Sequence, residues 1–214
     1  EYDPGSLLTR DRLYLNDGEG NFSKASLDAI PLNTDNSSCV VAADFDRDGD
    51  LDLFVGGRVV SGDYPMPAQS RLLLNESKPG VVSFVEAPVE RAPGLRQTGM
   101  VTGALWSDAD GDGWLDLLVT HEWGPVKLFR NEEGTLVDAT EKAGLRKHLG
   151  WWNSIAGGDV DNDGDLDYAV GNVGLNTKYK AGPGSPVMLY YGKYGDEGVN
   201  RLVEAKFENG IIVP

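Results

Sequence analysis

At 214 residues the chain is long enough to bury a core, as one large domain or two small ones, and its 34 acidic against 19 basic residues give a formal net charge of -15. That balance excludes a phosphate-binding nucleic-acid surface, which needs clustered Lys and Arg. The single cysteine, Cys39, excludes an intrachain disulfide, and there is no run of 18 apolar residues to span a membrane.

In chain order, the first readable element is Leu13-Tyr-Leu-Asn16, the turn 17–21, and Phe22-Ser-Lys-Ala25. This has the pattern of an outer hairpin whose inner partner strands are missing. A longer pattern then occurs three times. Each copy has a run rich in small and apolar residues, an Asp-rich loop, a strongly apolar strand, a variable loop and two further strands. The first copy reads Cys39–Ala43, the loop, Leu51–Val55, Arg71–Asn75 and Val82–Val85. The second reads Val101–Trp106, Leu115–Val119, Val126–Asn131 and Thr135–Val137, and the third Ser154–Gly158, Leu166–Val170, Val187–Tyr191 and Arg201–Phe207. Four short strands joined by turns make a propeller blade, so the spacing predicts an all-β chain, a β-propeller segment of about three and a half four-stranded blades. Its units are 1–28 (an outer hairpin), 29–90, 91–142 and 143–214, the last incomplete at its end. The small residues of each first strand (Ala42, Ala43, Gly103, Ala104, Ala156, Gly157, Gly158) place it innermost, where strands crowd. The stretch Ala139–Lys147, interrupted by Gly144, is expected to be a crossover between blades rather than a helix. Since closure needs four or more blades, the chain is expected to be a piece of a longer propeller, with pairing of chains into a ring as the alternative.

The loops are 44–52, 108–116 and 159–167. All three keep Asp at positions 1, 3, 5 and 9, Gly at 6 and Leu at 8, and together they hold 14 of the 34 acidic residues. Alternate carboxylates repel one another unless a cation collects them, and three divalent ions would offset six of the charges. Oxygen-only donors around a turn-forming Gly suit calcium, giving three expected Ca2+ sites. Side-chain ligands would come from Asp44, Asp46, Asp48 and Asp52, from Asp108, Asp110, Asp112 and Asp116, and from Asp159, Asp161, Asp163 and Asp167. The position 7 carbonyls of Asp50, Trp114 and Asp165 would complete them, since an indole has no acceptor of its own. An EF-hand is excluded, because its Glu at position 12 is replaced by Val55, Val119 and Val170 inside strands.

These repeats resemble the FG-GAP/VCBS repeat family of bacterial surface proteins, similar to the propeller of integrin alpha subunits. Hairpins such as 13–22 and 128–134 resemble the bacterial branch found with cartilage acidic protein-like and UnbV-type chains. The resemblance implies a calcium-carrying propeller. The Phe-Gly and Gly-Ala-Pro signatures of the family are degenerate here, as in Val55-Gly-Gly57, so integrin-type ligand binding is not implied.

With the first strand innermost, the metal loops share one face and the second-to-third strand loops and crossovers share the other. The second face carries 58–70, 122–125, 147–152 and 173–186. There Tyr64, Trp123, Trp151 and Trp152 are candidate stacking surfaces for a protein or glycan ligand, the alternative being that Trp151 and Trp152 fill the seam between blades. The two histidines, His121 and His148, stand beside no nucleophile motif, so packing roles are expected and no catalysis. The combined expectation is a secreted or cell-surface calcium-binding adhesion or binding module. An accessory propeller of a secreted polymer-acting enzyme is the alternative.

Overall fold

The computed structural model describes residues 7–174, 177, 179–182, 184–194, 200–208 and 210–214. It divides into two compact units, residues 1–172 and 173–214. In the first unit, β1 (Tyr14–Asn16) and β2 (Phe22–Lys24) form the expected isolated hairpin. β3 (Asn36–Ala43), β4 (Asp52–Val59), β5 (Arg71–Asn75) and β6 (Phe84–Glu86) follow as a four-stranded antiparallel meander. A second meander uses β7 (Met100–Ser107), β8 (Asp116–Glu122), β10 (Lys127–Asn131) and β11 (Leu136–Asp138). The two-residue strand β9 (Gly124–Pro125) lies before β10 and pairs with β12 (Leu149–Gly150). β13 (Trp152–Gly158) pairs with β14 (Asp167–Asn172). The second unit is a three-stranded antiparallel sheet of β15 (Met188–Lys193), β16 (Asn200–Glu208) and β17 (Ile211–Val213).

The chain is thus all-β, with two complete four-stranded sheets as in a propeller segment. The third repeat has its inner hairpin in the first unit and its outer strands in the second, joined there by β17, a strand the sequence pattern does not announce. The stretch 139–147 forms turns and a 3-10 turn at Leu145–Lys147, as a crossover should. Among the described residues no helix is long and apolar enough to cross a membrane.

Why the strand runs are continuously apolar is clear from the first sheet, where neighbouring side chains point to opposite faces. Phe54 and Leu72 enter the larger core with Phe45, Leu95, Val101, Leu117, Val119, Phe129 and Leu136. Val55 and Leu73 face the other way, into a smaller cluster with Ile30 and Phe84, against which Leu13 packs. The larger core is the seam between the first two sheets. β7 packs against both β3 and β13, which is the crowding that the small residues anticipated. A Cβ on Gly56 would lie 2.5 Å from Val101 Cγ1, and one on Gly103 would lie 3.1 Å from Thr120 Oγ1 and 3.5 Å from Ser154 Cα. Half-buried Cys39 lies in β3 beside Gly56, a packing residue whose thiol burial pushes upward.

Candidate metal centres

Each Asp-rich loop closes an inner hairpin in one register. The residue before position 1 pairs with position 9: Ala43 with Asp52, Ser107 with Asp116, Gly158 with Asp167. Positions 1 to 8 are therefore the whole connection, and its shape comes from internal hydrogen bonds. The position 1 carboxylate accepts the position 6 amide in all three loops: Gly49 to Asp44 at 3.2 Å, Gly113 to Asp108 at 2.9 Å, Gly164 to Asp159 at 3.2 Å. The position 5 carboxylate accepts the position 7 amide: Asp50 to Asp48, Trp114 to Asp112, Asp165 to Asp163. Gly49, Gly113 and Gly164 take φ of 98°, 88° and 98°, which explains Gly at position 6. Position 4 is also left-handed, with φ of 61° at Arg47, 73° at Gly111 and 62° at Asn162. No common residue type marks that position, so the pattern did not reveal it.

This folding gathers the carboxylates. Oxygens of Asp44, Asp46 and Asp48 lie within 4.8 Å of one another, as do those of Asp108, Asp110 and Asp116, and those of Asp159, Asp161 and Asp167. Asp52, Asp112 and Asp163 fall outside those clusters. Asp112 and Asp163 instead brace the position 7 amide. Asp52 and Asp116 are 1% exposed, whereas the third loop is exposed throughout.

The residues fit a hard cation. Asp44 Oδ1, Asp46 Oδ1, Asp50 Oδ1, Asp52 Oδ2 and Asp108 Oδ1 are buried with no hydrogen-bond partner. Orphaned buried carboxylate oxygens are costly, and those of Asp44 and Asp46 in the first cluster and Asp108 in the second are what an oxygen-coordinated ion satisfies. Burial, with repulsion from Asp46, Asp48 and Asp50, pushes Asp52 up to about 7, against the Asn75 amide that lowers it. Burial is also the main cause raising Asp116 and Asp50, with neighbouring loop carboxylates adding to it. In each case the negative form lacks the positive partner that would favour it.

Two asparagines complete the first two sites. Asn75, ending β5, donates its amide to Asp52 Oδ1 at 2.9 Å and its side chain to the Leu51 carbonyl at 3.1 Å. Asn131, ending β10, repeats this with Asp116 at 2.8 Å and Leu115 at 3.0 Å. The signal was present as an Asn closing the third strand in both repeats. β15, the corresponding strand of the third repeat, contains no Asn. Arginines approach position 3: Arg91 pairs with Asp46 and Arg130 with Asp110.

At the far ends of β4 and β8, two of the four predicted aromatics, Tyr64 and Trp123, come together around a residue the sequence did not single out. Glu122, 4% exposed, pairs with Arg58 and accepts Tyr64 Oη at 2.7 Å and Trp123 Nε1 at 3.1 Å. Trp123 Nε1 also reaches Tyr64 Oη at 2.8 Å. A buried carboxylate is tolerable here because every contact supplies a donor. Burial first, then Glu122, pushes the Tyr64 hydroxyl up to about 12. Trp123 has φ of 59°, a strained value for a bulky residue, and its ring lies 5.5 Å from that of Trp151. The β9–β12 pairing makes this meeting possible by tying the 123–125 turn to the next crossover. Trp152 donates to the Gly124 carbonyl at 3.1 Å and packs on Gly150, which is the seam-filling role. The loop 173–186 lies partly outside the described residues.

His121 is 1% exposed. Its Nδ1 donates to the Pro125 carbonyl at 2.9 Å, and Nε2 then accepts from Thr98 Oγ1 at 3.1 Å. Burial pushes this histidine down to about 4, so it is a neutral packing residue.

The model of a family described as FG-GAP-like repeat matches residues 5–55 and 108–170, 51 and 63 residues, or 114 of the 214. The chain is similar to cartilage acidic protein 1 of Xenopus tropicalis, 32% identical over 100 residues, and to cartilage acidic protein 1 of Mus musculus, 33% identical over 100 residues. Each match covers 44% of this chain and 14% of the relative.

Proposed function

The chain belongs to the FG-GAP-like repeat family, and from that premise we propose that it is a calcium-stabilised extracellular binding module without catalysis of its own. The observation that carries the calcium reading is a threefold one. A cluster of three carboxylates, positions 1 and 3 with either 5 or 9, closes three inner hairpins in the same register, and in the first two it buries carboxylate oxygens with no protein partner. What the ion supplies when bound is positive charge at the point where these oxygens converge. The chain's own residues do the rest: position 6 glycines turn the loop, position 1 and 5 carboxylates brace it, and Asn75 and Asn131 fasten it to the third strand. An extracellular setting agrees with the exposure of the third loop, since open calcium sites suit the calcium concentrations found outside cells.

The binding face in this reading is the aromatic cluster, at the opposite end of β4 and β8 from the metal loops. Six residue steps along β8 put the two about 20 Å apart. Tyr64, 41% exposed, and the half-buried Trp123 and Trp151 offer ring surface, the first two held by Glu122 and the third packed on Trp123. A protein or glycan ligand suits such rings, which carry an apolar face and a polar rim. Calorimetric melting with and without excess chelator, beside measurement of bound calcium, tests the metal reading. The expected result is up to three calcium ions per chain and a melting temperature that falls on chelation. An unchanged melting curve with no bound calcium overturns it.

A further inference from the structure

The first two metal loops touch each other through side chains that also shape each site. Arg47, position 4 of the first loop, lies between Asp46 and Asp48. Its guanidinium bonds to the Gly113 carbonyl and sits 4.1 Å above the Trp114 ring, at positions 6 and 7 of the second loop. Asn131 makes the second link. Its Nδ2 donates to the Phe45 carbonyl at 2.7 Å, position 2 of the first loop, and to the Leu115 carbonyl at 3.0 Å, position 8 of the second. Its main-chain amide meanwhile holds Asp116. Asn131 is 1% exposed, and its Oδ1 accepts the Gly134 amide, so it cannot turn away from one loop without leaving buried groups unpaired.

We propose that the two loops are energetically coupled sites, in which Arg47 and Asn131 are positioning residues and binding of a divalent cation at one loop raises the affinity of the other. The proposal rests on the calcium reading above. The case for a ligand in the first loop does not depend on acidity alone, because Asp44 and Asp46, both in the cluster, each hold a buried Oδ1 without a hydrogen-bond partner. The physical route is shared ordering. A cation collecting Asp44, Asp46 and Asp48 fixes the backbone at Arg47, and with it the 113–114 peptide of the second loop that Arg47 holds. The second cation then has less disorder to remove. Repulsion between two cations works against this, and about 0.15 M salt screens it beyond roughly 8 Å.

The test is a thermodynamic cycle by calcium calorimetry at that salt, in full-length chains carrying Asp159→Asn to silence the third loop. Adding Asp108→Asn leaves the first site, and adding Asp44→Asn leaves the second. Asn retains an acceptor for the position 6 amide, so each silenced loop keeps its brace. The product of the two binding constants in the two-site chain is expected to exceed the product of the single-site constants by about fivefold or more. Arg47→Asn, which copies Asn162 of the third loop and suits the left-handed backbone, is expected to bring the ratio close to one while two calcium ions still bind. Asn131→Ser should act alike. Since that residue is buried, Arg47→Asn is the deciding variant, with circular dichroism to confirm its fold. Equal products in the parent chain overturn the coupling and leave the calcium reading standing. A ratio that survives Arg47→Asn overturns the assigned route, and absence of calcium heat in every chain overturns the calcium reading itself.

Discussion

Two kinds of residue set the local energetics. The first is the left-handed pair at positions 4 and 6 of each loop. Glycine fills position 6 throughout, but Arg47 accepts φ of 61° at position 4, where Gly111 and Asn162 sit more comfortably. That strain is offset by its contacts with Gly113 and Trp114, which neither of the other residues could make. The second is the buried neutral histidine. His121 has a folded value of about 4 against an ordinary 6.5. Below 6.5 the unfolded chain takes up a proton that the folded chain refuses, so stability falls as pH drops from about 6.5 towards 4 and flattens below it. The difference corresponds to about 3 kcal/mol. His121→Gln should remove this limb from a plot of denaturation midpoint against pH, while Asn substitution at exposed His148 should leave it in place. A limb that persists in His121→Gln would refute the assignment.

At the scale of the hairpin and its loop, the three repeats are alike in sequence and unlike in setting. The first two loops have a 1%-exposed Asp at position 9 and an Asn clasp from the third strand, whereas 159–167 is exposed throughout and β15 brings no Asn. Buried, pre-ordered oxygens bind a cation with less reorganisation than exposed ones. Asp44→Asn and Asp108→Asn should therefore each lower the calcium-loaded melting temperature by several degrees more than Asp159→Asn. Equal losses from all three would show that burial and clasp do not differentiate the sites. Loop composition was fully legible in the chain, because position-by-position recurrence of Asp and Gly is visible without any fold. Their inequality was not, because it depends on strands that arrive 15 and 23 residues after position 9.

For the whole molecule the governing quantity is charge. With a net charge of -15 and 14 acidic residues in three loops, the metal-free chain carries concentrated self-repulsion. A site filled at a hundredfold excess over Kd adds about 2.7 kcal/mol, or roughly 5 to 11 °C in melting temperature for a chain of this size. Chelation should thus lower the midpoint by at least about 5 °C. Raising sodium chloride from about 0.05 to 0.5 M should raise the chelated chain's midpoint, since salt screens loop repulsion. The calcium-loaded chain should respond less. Equal salt responses of the two forms would show that loop repulsion is not what limits the metal-free chain.

The amino-acid sequence by itself determined the all-β repeat architecture, the positions of the Asp-rich loops and the strand order within each complete sheet. Those depend on neighbours within a few residues and on side-chain alternation, which recur visibly along the chain. Only the tertiary structure decided that Asn131 serves two loops, bonding to Phe45 86 residues away, and that Arg47 caps Trp114. It also decided that Glu122 gathers Tyr64 across 58 residues, and that the third repeat divides between two units. Contacts of that separation depend on how one sheet is set against the next. No local period in the sequence records that rotation, so the Asp-rich loops could be read from the chain, but not the wiring between them.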